Sequence, residues 1–368
     1  MRTTVSQFGL YICLILLSGH TAFAQQDSTQ VSTNPEVKFS GFVDIFYAYD
    51  FNQPKVSVRQ PFLFNHNRHN EFNLNLALLK ASITHKKYRA NFAIQTGTYA
   101  ADNYAAEENV MQHVYEANAG ISLNSGNNLW LDAGIFPSHL GFESAISIDN
   151  ATLTRSLVAE SSPYYLAGAK ATYSPTEYWT LAAIITNGWQ RIKRVPGNSL
   201  PSFGTQVSYA QEKYTLNWST FIGTDDPDVT RRMRFFNNLY ALISINEALS
   251  LTAGFDIGLQ QKSKGSDSYD VWYAPTLIAQ YKLNPEWAMA ARAEYYADKN
   301  SVIISLPTAD GFRTTGTSLN IDYTPFQNIA CRVEGRWFRA DNSIFEGNGK
   351  LTRHNVFLVG SIAVSINR

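Results

Sequence analysis

The feature that most constrains this chain is a two-residue alternation of apolar and polar side chains. Its cleanest copy is Leu249–Gln260, where every odd position is apolar and every even position is small or polar. Because successive side chains of a β-strand point to opposite faces, this segment predicts a strand with one apolar and one polar face. Similar segments recur along the chain, so the sequence predicts an all-β protein.

These segments number about sixteen, and most are long enough to cross a bilayer as tilted strands of roughly ten residues. The first is Val37–Phe51 and the last is Arg353–Asn367, with long and short connections alternating between them. An even number lets the last strand pair with the first, which leaves no unpaired sheet edge in lipid. We therefore predict a transmembrane antiparallel β-barrel over residues 37–368, with short periplasmic turns and long external loops.

Two irregularities interrupt the alternation near the start of the barrel. Phe42 and Phe46 fall in the polar phase of the first strand. In the second predicted strand, Glu71–Thr84, the apolar phase slips by one residue, and a β-bulge near Leu78 would explain the slip.

Tyrosines and tryptophans lie next to the short turns, in the apolar phase of their strands. These aromatic residues are Tyr173, Trp179, Tyr209, Tyr214, Tyr281, Trp287 and Tyr323. Such rings settle where apolar and aqueous phases meet, and a belt of them is typical of a membrane barrel. The alternative is a soluble β-protein with tyrosine-rich turns, but that fold would require the apolar phase to face inward.

The N-terminus predicts export. Arg2, the apolar run Phe8–Leu17 and the small-residue site Ala22–Ala24 together fit a cleavable signal peptide over residues 1–24. An N-terminal membrane anchor is the alternative, but the apolar run is too short to span a bilayer. Residues 25–36 are polar and predict a flexible periplasmic lead-in.

Charge and cysteine content exclude other classes. The 30 basic and 30 acidic residues balance, so there is no electrostatic case for binding nucleic acid. Cleavage of the signal would leave Cys331 as the one cysteine, which makes no intrachain disulfide. An exported chain with this strand pattern is expected in the outer membrane, in contact with its lipid.

The longest connection, Pro137–Pro163, is only modestly polar and forms the third external loop. Its apolar residues predict that it packs inside the barrel and narrows the lumen, although sequence does not exclude an external flap. Asp149 and Asn150 are good N-caps and predict a short helix near Ala151–Ala159.

The polar phase and this loop carry the candidate pore-lining charges. Those on the wall are Arg232, Arg234, Arg292, Glu294, Arg332, Glu334 and Arg336, and those on the loop are Glu143, Asp149, Arg155 and Glu160. Rows of charged side chains select ions by sign, but the same residues can also form ion pairs that brace the wall. Because the two signs balance, the sequence predicts only a weak ion preference.

Evidence for catalysis or metal binding is slight. His66 and His69 lie three residues apart on a polar loop, where solvated side chains are the simpler interpretation, and two histidines make a poor metal site. Ser138 and His139 hint at a nucleophilic site without any motif that fixes their geometry. We predict no cofactor and no enzymatic activity, with a barrel-type hydrolase or a structural or adhesive barrel as alternatives.

Several short motifs resemble one family of membrane proteins. Phe39–Asp44, Ala133–Glu143, Asp149–Asn150, Thr154–Ser156 and Pro163–Gly168 are similar to the OmpL-like β-barrel porins. The resemblance covers essentially the whole mature chain and implies an outer-membrane porin. Passive diffusion of small hydrophilic solutes is then the expected function, and a homotrimer is plausible because general porins of this size often form one.

Overall fold

The computed structural model describes residues 34–306 and 311–367. Sixteen antiparallel strands form a closed barrel, in which consecutive strands pair in chain order and the last strand closes the ring between the fifteenth and the first. The closing pair runs from Gly41 opposite Ile366 to Asp50 opposite Phe357. The predicted fold class is confirmed, whereas the predicted signal peptide and residues 25–33 of the lead-in lie outside the described residues.

The strand bounds agree with the predicted segments to within a few residues. The barrel strands are β1 Glu36–Asp50, β2 Phe72–Thr84, β3 Tyr88–Thr96, β4 Val114–Ser122, β5 Leu129–Pro137, β6 Tyr165–Tyr173, β7 Trp179–Thr186, β8 Ser202–Ala210, β9 Tyr214–Gly223, β10 Arg234–Ser244, β11 Leu249–Gln261, β12 Tyr269–Lys282, β13 Trp287–Asp298, β14 Phe312–Phe326, β15 Ile329–Ala340 and β18 His354–Ile366.

Long and short connections alternate around the ring and define a loop end and a turn end. The long ones are loop 1 (51–71), loop 2 (97–113), loop 3 (138–164), loop 4 (187–201), loop 5 (224–233), loop 6 (262–268), loop 7 (299–311) and loop 8 (341–353). Loop 2 contains helix α1 Thr98–Asn103, loop 3 contains α2 Leu157–Glu160, and loop 8 contains the hairpin of β16 Phe345–Gly347 and β17 Lys350–Thr352. None of the helices in the described ranges has the length and apolar character required to cross a membrane.

The alternation in β11 shows which phase faces outward. Phe255 is 39% exposed on the outer surface, whereas its neighbour Asp256 is buried inside and accepts a hydrogen bond from Asn238 at 2.6 Å. Large apolar side chains such as Phe39 and Leu319 are likewise exposed on the outer face. A belt of exposed apolar residues around a closed barrel is suited to lipid.

Aromatic rings on the outer face near the turn end contact one another across strands. Trp179 and Tyr209 have ring centroids 4.7 Å apart, and Trp287 and Tyr323 are separated by 4.6 Å. They form the interfacial belt that the sequence predicted.

The bulge in β2 lies earlier than predicted. The register with β1 shifts between Asp44 and Ile45, which leaves Asn75 as the extra residue. Leu76 and Leu78 therefore turn inward and join Phe42 in a buried apolar cluster. The prediction near Leu78 was wrong because apolar side chains occupy both faces of this strand.

The interior near the loop end is packed with apolar side chains. Loops 1, 3, 7 and 8 contribute Phe62, Leu157, Ile304 and Phe345, and the strands contribute Phe46, Phe221, Phe236, Trp272, Tyr296, Phe312, Phe338 and Phe357. All of these are 5% exposed or less. The loops thus fold into the barrel mouth instead of standing away from it, which explains why the polar phase of the strands contains aromatics.

Candidate functional site

Loop 3 leaves the barrel wall between β5 and β6 and runs along the inner face of distant strands. Near its start, the carbonyl of His139 accepts a hydrogen bond from Ser219 Oγ at 2.9 Å, and the amide of Gly141 donates to Asn238 Oδ1 at 2.9 Å. Further on, the amide of Leu153 donates to Asn320 Oδ1 on β14 at 3.1 Å. Since β14 lies about halfway around the ring from β5 and β6, the loop crosses the interior.

Charged side chains on β13 and β15 hold the middle of loop 3, and we call these residues the tether: Arg292, Glu294, Arg332, Glu334 and Arg336. Arg292 donates to the Thr154 carbonyl at 2.6 Å and to Glu334 Oε1 at 2.7 Å. Glu294 accepts from the Leu157 amide at 2.6 Å, and Arg336 donates to the Arg155 carbonyl at 2.8 Å. Charged side chains of the wall therefore provide hydrogen-bond partners for backbone amides and carbonyls of the loop. Buried backbone groups require such partners.

The remaining tether residue, Arg332, lies closer to the turn end. Its guanidinium donates to Asp322 Oδ1 at 2.6 Å and to the Asn150 carbonyl at 3.0 Å. The side chains of Arg292, Glu294, Glu334 and Arg336 are 0% exposed. These predicted pore-lining residues thus brace the loop against the wall, and any contact of theirs with a solute remains a prediction.

The charged residues of the loop itself have different surroundings. Glu143 accepts the Ser156 amide at 2.9 Å, and the Arg155 guanidinium stacks 3.9 Å from the centre of the Tyr164 ring. Glu160 accepts the amides of Phe64 and Asn65 in loop 1 at 2.9 and 3.3 Å. Burial raises the pKa of the Glu160 carboxyl, although Arg155 opposes that shift.

The helix predicted over Ala151–Ala159 is wrong in position and length. The loop forms a 3₁₀ turn at Ser147–Asp149 and one α-helical turn at Leu157–Glu160. Asn150 accepts the Ser144 amide at 2.7 Å instead of capping a helix, and Asp149 is exposed. Binding of residues 150–155 to the tether replaces helix formation, because the carbonyls of Asn150, Thr154 and Arg155 accept hydrogen bonds from arginines of the wall.

The two arginines expected at the start of β10 are separated by a strand boundary. Arg232 lies in loop 5, before the strand begins, and forms an ion pair with Asp226 at 2.7 Å. Arg234 is the first residue of β10, donates to Gln260 at 2.7 Å and lies 5.0 Å from the centre of the Trp189 ring. Neither belongs to the tether.

The sequence prediction missed a second group of lumenal side chains on β2 to β6, which we call the polar strip: Lys80, Ser82, Arg89, Asn91, Glu116, Asn118, Asp132 and Lys170. Lys80 pairs with Glu116 at 2.7 Å and Arg89 with Asp132 at 2.6 Å. Asn91 donates to Asn118 at 3.0 Å. Their spacing along the polar phase was visible in the sequence, but only the barrel brings five strands of them together.

Water reaches the polar strip more readily than the tether. The side chains of Lys80 and Arg89 are 29% and 35% exposed, and Asn91, Asn118 and Lys170 are half-buried. Gly120 makes room for this arrangement, since a β-carbon on it would come within 2.1 Å of Asp132 Oδ1. Toward the loop end, the inward side chains next to the polar strip are buried, and they include Gln95, Phe136 and Leu166.

Cavities open on both sides of loop 3. At the turn end a cavity of about 750 Å³ is lined by Ile148 and Asn150 of the loop and by Asp322 and Arg332 of the wall, among others. At the loop end a cavity of about 400 Å³ is lined by Phe64, Glu160, Trp189, Arg191 and Asp225, among others. Residues from loop 3 line both cavities, so this loop lies between the two ends of the lumen.

The two histidines of loop 1 both have partners within the protein, and His66 is buried. His66 is 1% exposed, and its Nε2 lies 2.9 Å from Asp44 Oδ2 on β1. His69 Nδ1 accepts the Asp50 amide at 3.0 Å. The interpretation as solvated loop residues was wrong for His66, because loop 1 folds into the mouth. Within the described residues no cluster of three metal-ligating side chains occurs.

Ser138 and His139 have structural partners. Ser138 Oγ accepts the Leu140 amide at 3.1 Å, and His139 Nε2 lies 2.9 Å from the Thr220 carbonyl. Burial lowers the pKa of His139 to about 4, so its ring is neutral at physiological pH. With a carbonyl as its partner, Nε2 carries the proton and is not positioned to accept one from a serine.

The chain matches the family described as Putative beta-barrel porin-2, OmpL-like, over residues 36–366. The chain belongs to this porin family. The suspected resemblance is therefore confirmed, and with it the outer-membrane localisation. No curated protein matches the chain significantly.

Solved structures share the fold of this porin-family chain. The anion-selective porin from Comamonas acidovorans is 9% identical, with a TM-score of 0.63, and covers 90% of this chain and 100% of its own. The channel DcaP of Acinetobacter baumannii is 14% identical, with a TM-score of 0.61 and coverages of 94% and 100%. The trimer form of OmpT from Vibrio cholerae is 9% identical, with a TM-score of 0.58 and coverages of 90% and 99%. At these identities the likeness shows the outer-membrane barrel fold alone.

Proposed function

We propose that this protein is a passive porin for small hydrophilic solutes, with a narrow passage between loop 3 and the polar strip. The observation that carries the proposal is the asymmetry of the inner wall. The tether on β13 and β15 is sealed under loop 3, whereas Lys80, Arg89 and Lys170 on β2, β3 and β6 are partly exposed. A hydrated solute crosses most readily where polar groups replace its lost water contacts.

Loop 3 sets the width of this passage. Its residues Ala145, Ile146 and Ile148 belong to or pack against the apolar cluster that contains Phe42, Leu76 and Leu78, and its middle is bonded to the tether. A loop held on both sides leaves little free cross-section, so permeation is restricted to small solutes. Transport of this kind requires neither a cofactor nor an energy source.

A plugged structural or adhesive barrel is the second candidate, and a specific observation favours it. The aromatic packing among loops 1, 3, 7 and 8 fills the loop end of the interior. A continuous apolar plug excludes water and ions from the lumen. The two candidates differ in one measurable property, which is whether the barrel conducts ions.

The test is planar-bilayer recording with the purified full-length protein, alongside empty-detergent controls. A porin gives discrete current steps whose size scales with salt concentration. Reproducible insertion of folded barrel without any current steps would remove the porin proposal and leave the plugged barrel.

We do not propose a hydrolase, given the separate structural bonds of Ser138 and His139. Variants Ser138→Ala and His139→Gln should leave any hydrolytic background unchanged. Loss of a specific hydrolytic activity in both variants would instead support a hydrolase that uses Ser138 and His139.

Assembly remains a prediction, and we favour a homotrimer because one structural neighbour is described in a trimer form. Native mass spectrometry of the detergent-solubilised protein should show three copies, and a monomer at all protein-to-detergent ratios would contradict it.

A further inference from the structure

The polar strip presents charges of one sign to the lumen. In each of its ion pairs the basic partner is the more exposed one. Lys80 is 29% exposed and its partner Glu116 only 7%, whereas Arg89 is 35% exposed and Asp132 only 5%. The carboxylates therefore lie behind the ammonium and guanidinium groups as seen from the water-filled side.

Lys170 adds a cation without a closely paired carboxylate. It lies directly opposite Asp132 in the strand register, but the Asp132 carboxylate is held by Arg89 at 2.6 Å. In the described part of the chain, Lys170 has no carboxylate within 4.0 Å, and its Nζ lies 5.1 Å from the centre of the Phe136 ring. The polar strip thus holds three cations against two carboxylates, a net charge of +1.

Most acidic groups that point inward from the other strands are withdrawn from water. Asp44, Asp50, Asp256, Glu294, Asp298, Asp322 and Glu334 are each at most 8% exposed. The more exposed acids Asp270 and Glu36 lie at the ends of their strands, and each pairs with a lysine, Lys262 at 3.7 Å and Lys38 at 3.3 Å. On loop 3, Asp149 is exposed, but it borders a cavity formed with strands β9 to β12, away from the polar strip. The formal net charge of the whole chain is zero, but the exposed charges of the polar strip are basic.

We propose that the polar strip makes the passage prefer small anions, with inorganic anions and short carboxylates as its solute class. This inference rests on the proposed porin function and replaces the weak ion preference expected from the balanced composition. A permeating anion is attracted by Lys80, Arg89 and Lys170, whereas a permeating cation is repelled by the same three groups. The preference should weaken at high salt, because the screening length falls from about 10 Å at 0.1 M to about 3 Å at 1 M.

The test is the reversal potential of the purified full-length protein across a tenfold KCl gradient, repeated at a higher mean salt concentration. The expected sign is that of chloride preference, smaller at high salt. The double variant Lys80→Gln with Lys170→Gln should move the reversal potential toward zero. The matched control Lys262→Gln with Lys264→Gln, in external loop 6, should leave it unchanged.

Lys80→Arg with Lys170→Arg should retain the preference, which separates the loss of charge from misfolding. A channel that conducts but prefers potassium, or whose preference survives the Lys→Gln change, would overturn the inference and leave the porin function intact. A folded barrel that never conducts would overturn both.

Discussion

The two halves of the inner wall use similar residues for opposite purposes. On β13 and β15, Arg292 and Glu334 pair at 2.7 Å and are 0% exposed. On β2 and β4, Lys80 and Glu116 pair at the same distance, yet the lysine is 29% exposed. The two pairs differ because loop 3 lies over Arg292 and Glu334 and supplies backbone hydrogen-bond partners for them. What a lumenal charge does in this barrel therefore depends on which segment lies against it.

The energetic consequence follows from burial. Removing one partner of a buried ion pair leaves an uncompensated charge, whereas a partly hydrated pair tolerates the loss. The tether is thus a structural device and the polar strip an exposed surface, so equivalent substitutions on the two sides should have different effects.

The largest effect is expected from Glu334→Ala, which removes the partner of Arg292 and of the Thr154 amide. The free energy of unfolding should fall by about 3–5 kcal/mol, as is typical when a buried pair loses one member. Urea titration in lipid vesicles, followed by tryptophan fluorescence, measures it. The matched change Glu116→Ala in the polar strip should cost only about 1 kcal/mol or less, and equal losses would contradict the division.

Accessibility should differ between matched serines on the two walls. In a Cys331→Ser background, Ser82→Cys in the polar strip should react with a charged thiol reagent about a hundredfold faster than Ser318→Cys, since a buried site reacts only through local opening. Ser82 is half-buried, whereas Ser318 is buried and lies opposite Arg292 and Arg336 of the tether in the strand register. Similar labelling rates would show that loop 3 does not seal the tether side.

Removing the middle of loop 3, Ile146–Val158, should raise single-channel conductance by a factor of several. This segment carries the backbone groups bound by the tether, so its loss opens cross-section on that side of the lumen. Deleting residues 263–267 from loop 6 serves as the control and should leave conductance unchanged. Unaltered conductance after the loop 3 deletion would place the narrowest point elsewhere.

The smallest effect is expected from Gly120→Ala. The added methyl group would overlap Asp132 Oδ1, so the carboxylate and its partner Arg89 must shift within the polar strip. Conductance should change modestly. Gly335→Ala on the outer face is the control, because the nearest atom to its β-carbon would be 3.9 Å away. Identical conductance of both variants and the parent would show that this part of the polar strip is not rate-limiting.

Much of the fold could be predicted from local sequence patterns, and the predictions that were wrong also have local causes. Phe255 and Asp256 take opposite sides as predicted, because a strand alternates whatever surrounds it. In β2, by contrast, Leu76 and Leu78 are as apolar as the lipid-facing Leu79, so hydrophobicity could not locate the bulge at Asn75. The aromatic residues that break the polar phase of β1 are explained only by the loops packed on them.

The candidate site was harder to predict, because it depends on contacts between residues far apart in sequence. The charges of the tether were identified, but their burial under Thr154 and Arg155 was not, since nothing local shows where loop 3 comes to rest. Lys80, Arg89 and Lys170 were missed because each stands alone in its own strand and acquires neighbours only when five strands align.

The sequence by itself determined a closed barrel with an apolar outside, aromatic belts and alternating turns and loops. These properties follow from the two-residue period of a strand and from the need to pair every edge in lipid. Only the tertiary structure decided which inward charges are dry and which meet water. That outcome depends on loop 3 crossing the lumen. The position of the loop is set by hydrogen bonds and packing between residues far apart in sequence, which the two-residue alternation does not reveal.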